Sequence, residues 1–386
     1  MNLQLTKYIT LPIFYVIGVL LCFYPYVFNQ FLQLGGETTL LFVFLIITFV
    51  LLRKGSGGLP PILIRCIWIQ VLMWIVYMVI HNDTSYISRV FFIVMSSALL
   101  IFLIRQASLF RFVDTYNHFI ALQAVLGVPV FFLFALGIIT PFSSFHNIDG
   151  REAYFFGVTF SNAITGGICR IAGFFDEPGA LAFWGLFALV FNKITVDNHK
   201  LEIVLIFSLL FTLSAAYFIL LIVYVTFYYG FRIRIILPVI LLLCIIGYGT
   251  FKYIGNNEQL MYMTVERFQG GSIRSERALL TDDAKKIFKE CPIIGIGAKN
   301  LQEKGYFDDN PYEIPAKDGV VGFVVTYLPL FVLLFKYGRK NRKILFAIIL
   351  LMAEYMQRPF HVNLLHFFIM YLFVLLVYYK IKGYEI

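Results

Sequence analysis

Three charged side chains stand together in the run CRIAGFFDEPGALA, Cys169 to Ala182, at the mouth of an apolar stretch: Arg170, Asp176 and Glu177. An ionised residue inside a membrane helix costs about 2.5–3.5 kcal/mol even on the lenient insertion scale, so charges at this place call for a ligand or a partner. A guanidinium suits phosphate oxygens, which its planar fork binds in pairs without losing its proton. A carboxylate suits proton transfer, provided that it comes within hydrogen-bond reach of a hydroxyl. Together these residue types fit a phosphate-bearing lipid at a membrane surface. Capping is a compatible account of the acidic pair: Glu177 precedes Pro178 at an expected helix start, where carboxylates favour the positive end of the helix dipole and proline suits the first turn.

A second constellation lies in SERALLTDDAKKIFKECPIIGIGAKN. Ser275 to Glu290 reads as a helix, residues 275–290, with Ala278, Leu279, Ala284 and Ile287 roughly on one face. Cys291-Pro292 ends it, because proline forces the preceding residue out of helical geometry, and IIGIGAKN is a glycine-punctuated turn. Arg277 lies on this helix, and Arg274, three residues earlier, shares its face if the helix begins early enough. Arg267 is a further diphosphate or glycan ligand to consider, with a solvated loop arginine as the plainer account. Arg358 and His361 sit in the dense polar turn RPFHVN, and His366, deeper in the final apolar run, reads as a packing residue. The other carboxylates available as a general base are Glu276, Asp308, Asp309, Glu313 and Asp318. Tyr154, Phe155, Phe156, Tyr306 and Tyr312 are placed to stack on sugar rings.

Composition dictates what must position these groups. With 60% hydrophobic and 14% charged residues, against about 25% charged in ordinary soluble domains, the chain is an integral membrane protein. Its apolar runs are helix-length, so a helical bundle follows from the need to satisfy every backbone group internally. About twelve spans are expected, near 9–28, 38–52, 62–80, 87–104, 117–139, 177–192, 201–214, 216–231, 235–251, 319–336, 343–357 and 363–380. The run from Leu201 to Tyr229 is too long for one straight span and too short for two full ones, which places a break near Ser214-Ala215-Ala216. Short or broken helices commonly border a cavity. The first apolar run carries no small-residue cleavage site and reads as a span.

Orientation follows the lysines and arginines of the short loops. With a cytoplasmic N-terminus, the inner side collects Lys7, Arg53, Lys54, Arg65, Arg105, Arg111, Lys193, Lys200, Arg232, Arg234, the cluster Lys336 to Lys343, Lys380 and Lys382. The short outer loops then hold Arg89 and Arg358. The net charge of +9 is thus a topology signal, and nucleic acid is not an expected partner. Two long outer segments remain within the single membrane domain 1–386: 140–176, and a large loop, 252–318, between the ninth and tenth spans. Tyrosines at helix ends, among them Tyr24, Tyr26, Tyr228, Tyr229, Tyr378 and Tyr379, read as the interfacial belt.

Other chemistries find no support. The five cysteines show no CxxC pairing or metal spacing, and Cys169 and Cys291, the two expected on the outer face, read as free thiols. There is no Walker motif, dinucleotide fingerprint or DxD-like cluster, so neither a cofactor nor a metal is expected.

SERALLTDDAKKIFKECPIIGIGAKN resembles the outer-loop signature of the O-antigen polymerase and ligase families, in which an arginine opens a helix that ends in proline and a G-x-G turn. RIAGFFDEPGALA is similar to the arginine-x-x-glycine-phenylalanine-x-glutamate-proline element many members carry before a middle helix. Length, span count, charge asymmetry and loop position agree, so the likeness spans most of the chain. It implies a bundle like that of polytopic glycosyltransferases, residing in the bacterial inner membrane with both termini cytoplasmic and a periplasmic active site. The implied reaction transfers a glycan from undecaprenyl diphosphate to an acceptor hydroxyl.

Carried over by motif, Arg170 and Arg277 would stabilise the leaving diphosphate; by residue type and place, Glu177 is the expected catalytic carboxylate, and Arg274, from its spacing to Arg277, with Asp176, Arg267, Arg358 and His361, would contact diphosphate or glycan. Undecaprenyl-diphosphate-linked oligosaccharide, a chain-length regulator protein and membrane lipids are the implied partners. Ligases of this kind carry a histidine in the outer loop shortly before the next helix, whereas this chain has NPYEIPAKDGVVG. That absence favours a polymerase of O-antigen, or of capsule or exopolysaccharide, over a ligase. A flippase of lipid-linked oligosaccharides is the rival of another class, since helix count alone does not separate carriers from transferases.

Overall fold

The computed structural model describes Val27 and residues 57–105, 107–146, 152–162, 164–165, 168–230, 276–304, 310–338, 341–358 and 363–383. The expected spans 38–52 and 235–251, and 9–28 apart from Val27, lie outside the described residues, as do Arg267, Arg274, Tyr306, Asp308, Asp309 and His361.

The described chain is mostly helical: α1 (Pro61–His81), α2 (Tyr86–Arg105), α3 (Leu109–Ala135), α4 (Pro178–Ile194), α5 (His199–Leu209), α6 (Ala215–Tyr229), α7 (Glu276–Glu290), α8 (Ala298–Glu303), α9 (Glu313–Thr326), α10 (Leu328–Leu333), α11 (Arg342–Gln357) and α12 (Leu364–Lys382). Among the described residues α1, α2, α3 and α12 are each long and apolar enough to cross a membrane, and α9 with the α10 segment makes a fifth span if the bent pair counts as one. The protein is therefore a membrane-embedded helical protein.

Sequence dictates the packing order. A helix apolar on every side has no face for water and becomes a strut. In α4 every residue from Pro178 to Ile194 is buried except Gly179, and α12 is buried from Leu364 to Val377. By contrast α1 turns Trp68, Leu72 and Val79 outward, as a helix facing lipid must. Asn82 ends α1 in the left-handed conformation, which asparagine tolerates, and its N–H closes on Met78 and Val79 carbonyls.

Two boundaries differ from the sequence expectation, and one expected break is present. The span expected at 117–139 is α3 and starts at Leu109, because Arg111 and Asp114 are accommodated in its first turns at the polar end of the bundle. The span expected at 319–336 begins at Glu313, where an i,i+4 Lys317–Glu313 ion pair of 3.3 Å lets a polar turn be helical. It then kinks at Gly319 and bends by 41° before Leu328. The break expected near residues 214–216 is present: α5 tightens into a 3₁₀ turn, Leu210–Thr212, Leu213 adopts the left-handed conformation, and the Ser214 hydroxyl caps α6 by accepting from Tyr217 N.

Among its described residues, the segment 140–176 forms strands and no helix. It holds a three-stranded antiparallel sheet, β1 (Ser143–His146), β2 (Glu152–Phe155) and β3 (Phe160–Ser161), and a two-stranded one, β4 (Ile164–Thr165) with β5 (Ile168–Cys169). Ser143 pairs with Phe155, Tyr154 with Ser161 and Ile164 with Cys169. An all-α architecture thus holds for the bundle, with these small sheets at one end.

Chain alternation sorts the charges into two ends. One end gathers Arg65, Arg105, Arg111, Lys193, Lys200, Lys336, Arg342, Lys343, Lys380 and Lys382, tied by contacts such as Lys380 Nζ donating to Ile194 O at 2.8 Å and Tyr228 OH to Lys343 O at 3.1 Å. The other end holds the sheets, the start of α4, the α5–α6 break, the end of α11 and the turn after α7.

Candidate functional site

The element RIAGFFDEP is built into that second end backbone first. Ile171 N donates to Phe211 O at 3.3 Å, Ala172 N to Phe160 O at 3.0 Å, and Phe174 N to the Gln123 side-chain carbonyl at 2.9 Å. Gly173 has φ of 60°, and a Cβ there would come 2.7 Å from Gln123 Oε1. Gly127 is equally constrained, since a Cβ would press on Ile171 at 2.9 Å. Val27 N reaches the same segment, donating to Phe174 O at 2.9 Å.

Held this way, Arg170 is half-buried and its Nε donates to Thr212 O at 2.9 Å. Thr212 ends the 3₁₀ turn, where carbonyls lack intrahelical partners and the dipole favours a cation. The break between α5 and α6 thus supplies the seat for the arginine. Asp176 is buried, 6% exposed.

Glu177 stands at the N-cap of α4 with extended backbone, as a residue before proline must, yet its side chain makes no capping hydrogen bond. Its carboxylate forms an ion pair with Arg358, the residue after α11, with both side chains largely buried. The guanidinium lies over Gly179: a Cβ there would stand 3.1 Å from Nη1 and 3.2 Å from Nη2. Glu177 thus holds the N-cap with Pro178 in the first turn, as read from the sequence, and its carboxylate is in addition paired with an arginine from the end of α11. Arg358, read in sequence as a glycan or diphosphate ligand, is in this state the partner of an expected catalytic carboxylate.

The loop helix α7 carries Arg277 on its first turn, and its side chains are described from Thr281 onward. Of the apolar face expected there, Ala284 and Ile287 are buried against Leu301 and Ala316, with Tyr312 beside them. The turn after α7 is clamped to the bundle. Ile296 N and Gly297 N donate to Ala316 O and Lys317 O, at 3.2 and 2.8 Å, while Val320 N and Val321 N donate back to Pro292 O and Ile293 O. Gly295 and Gly319, with φ of 68° and 67°, lie where these two backbones cross, and a Cβ on either would collide with the other strand.

Beneath the crossing, Asp318 is fully buried. It accepts from Arg89 Nη1 at 2.7 Å and Tyr86 OH at 2.8 Å, and its backbone carbonyl from Tyr77 OH at 2.7 Å. Arg89 stacks on Trp74, 4.3 Å from the ring centroid. Asp318 is thereby closed off from any acceptor hydroxyl, and the sequence reading of it as a base is replaced by that of a buried latch. Glu313, 3% exposed and paired with Lys317, is likewise occupied. At the α1–α2 turn, Asp83 accepts from Ser85 N and Lys299 N. Burial pushes its carboxyl up, but these donors outweigh burial and hold it below the usual range.

Arg170, Asp176, Glu177 and Arg358 lie at one end of the bundle, Arg170 seated on Thr212 and Glu177 paired with Arg358, and α7, which bears Arg277, is clamped at the same end through the turn that follows it. His366 is buried between Tyr355 and Tyr327, ring centroids 4.4 and 5.7 Å away, as a packing residue. Cys169 and Cys291 are free thiols, and burial pushes the Cys169 thiol up to about 12, an inert setting. Of the sugar-stacking aromatics, Phe156 is buried and Phe155 stacks on Phe160 at 4.5 Å, whereas Tyr154 donates to Glu152 at 2.6 Å on a partly open strand. Sequence reasoning missed the Arg89–Asp318 latch. Its available signal was an arginine and an aspartate each flanking an apolar run, where an unpaired charge is costly. No family model, curated protein or solved structure matches this chain.

Proposed function

We propose that this chain is an O-antigen polymerase of the bacterial inner membrane. In this reading about twelve helices span the bilayer, both termini are cytoplasmic, and the segments 140–176 and 252–318 are periplasmic. The lysine- and arginine-rich end of the bundle then faces the cytoplasm, in keeping with the positive-inside rule. The observation that supports the reading is that Arg170, Asp176, Glu177 and Arg358 lie at the opposite end, the end at which the turn following the Arg277 helix is clamped to the bundle.

The chemistry is glycosyl transfer from undecaprenyl diphosphate to the non-reducing end of another lipid-linked repeat unit. The acceptor oxygen attacks the anomeric carbon while the bond to the diphosphate oxygen breaks. Negative charge develops on the leaving group, and fixed guanidinium groups aimed at it stabilise the transition state more than the ground state. Arg170 and Arg277 take that role. Neither a metal nor a nucleotide enters, since the diphosphate linkage supplies the driving force; loss of activity with chelator and recovery with magnesium would remove that clause. The outer loop's want of a histidine supports polymerase over ligase.

The test uses purified protein in detergent with lipid-linked repeat units, where there is no membrane to cross. Chain growth is the expected result, and unchanged substrate would point to a carrier. Arg170→Ala and Arg277→Ala should each lower turnover about 10²–10³-fold, the scale of a lost oxyanion donor. Arg→Lys should rescue poorly, because the paired geometry is lost.

A further inference from the structure

Glu177 and Arg358 are joined although 10% or so of each side chain remains accessible, so the pair sits at the edge of the buried region and not within it. Its geometry is uneven. The guanidinium rests over Gly179 at the start of α4, the positive end of a helix dipole and an unfavourable place for a cation. A carboxylate from the same helix start holds it there. An anion with several phosphate oxygens meets the needs of both the guanidinium fork and the helix start better than one carboxylate does.

We infer that Glu177 and Arg358 form an exchange pair: the substrate diphosphate takes over the Arg358 guanidinium, and the released Glu177 carboxylate accepts the proton of the acceptor hydroxyl. This rests on the glycosyl-transfer reading above and supplies the base that the sequence left unnamed. A carboxylate held by a guanidinium is a poor proton acceptor, so the free enzyme keeps its base masked until donor arrives. On exchange the hydroxyl proton passes to Glu177, the acceptor oxygen bonds to the anomeric carbon, and the electron pair of the broken bond leaves with the diphosphate. Glu177 is half of a lock that only a phosphate opens.

The pair makes a prediction of opposite signs. Removing Glu177 removes a competitor for Arg358, so Glu177→Gln should bind a polyprenyl diphosphate roughly tenfold more tightly than wild type, the scale of one charge-assisted hydrogen bond. The same variant should extend chains at least about 10²-fold more slowly, the usual contribution of a general base. Arg358→Gln should bind that probe roughly tenfold more weakly. An ion pair that serves only to hold the helices would lower binding in both variants through misfolding, which the melting temperature of each reports. Equal or weaker binding by Glu177→Gln, or wild-type chain growth, overturns the exchange. If Glu177→Gln does not fold, Glu177→Asp decides: its shorter arm loosens the pair and should tighten binding, and unchanged or weaker binding again overturns it. A wild-type protein that neither binds the diphosphate nor extends chains defeats the functional reading itself, which keeps the two failures apart.

Discussion

The two ends of the bundle both bury basic groups beside acidic ones, yet they are wired differently. At the lysine-rich end, Lys193 Nζ lies 2.8 Å from Asp197, 3.1 Å from Glu202 and 3.0 Å from the Tyr229 hydroxyl. Tyr224 donates to the other Glu202 oxygen at 2.6 Å, and Lys343 reaches Asp197 at 3.4 Å. Asp197, His199 and Glu202 are close enough to share a metal ion, but the Lys193 ammonium already supplies the positive charge there. Tyr229, expected as part of the interfacial belt, belongs to this cluster. At the other end, Arg170 is spent on a helix-end carbonyl and Glu177 on an arginine from a distant helix. A cluster saturated by its own neighbours is a clasp. In the proposed reaction the charges at the broken helix ends are the ones that the substrate diphosphate takes over.

That contrast can be broken first at the clasp. Lys193→Met leaves Glu202, 1% exposed, without its cation, and removing one partner of a buried ion pair costs about 3–5 kcal/mol. Unfolding in detergent should show that loss, with chain growth per folded molecule unchanged; a variant of native stability would make the cluster something other than a clasp. Asp318→Asn should cost a comparable amount, about 3–5 kcal/mol, because Arg89 stays buried. Here the loop turn at residues 291–304 should also become protease-sensitive and activity should fall, because α7 loses its anchor. Activity that persists at wild-type level would separate the latch from the site.

Asp83→Asn weakens one tie between the α1–α2 turn and Lys299 N, at about 1 kcal/mol. Its carboxyl is lowered in the folded state, so its stabilisation is complete above the unfolded carboxylate range and fades as pH falls through the lowered folded value. Melting between neutral and acid pH should therefore be flatter in Asp83→Asn than in wild type. An unchanged acid limb would show that Asp83 contributes nothing there.

Much of the bundle was legible because hydrophobic runs bounded by charge translate directly into spans: 62–80 and 87–104 became Pro61–His81 and Tyr86–Arg105. The start of α3 was not, since RFVDTYNHF reads as loop until the polar end of a bundle receives it. Two-residue strands such as Phe160–Ser161 leave no periodicity to read. Arg170 and Glu177 were found by residue type and place. Their partners were not, because Thr212 and Arg358 are set by tertiary approach, and Arg89 finds Asp318 across 229 residues. Residue chemistry signals that a charge needs a partner, while only packing names it.

In the proposed reaction Arg170 and Arg277, from two separate segments of the chain, grip one pyrophosphate. The most direct measurement is a double-mutant cycle on the affinity of the purified protein for a polyprenyl diphosphate, using Arg170→Ala, Arg277→Ala and the double variant. Two guanidinium groups on a shared anion should be coupled by about 0.5–3 kcal/mol, so that the double variant loses clearly less than the sum of the singles. Strict additivity, or wild-type affinity in either single variant, would mean that the two arginines do not share the anion.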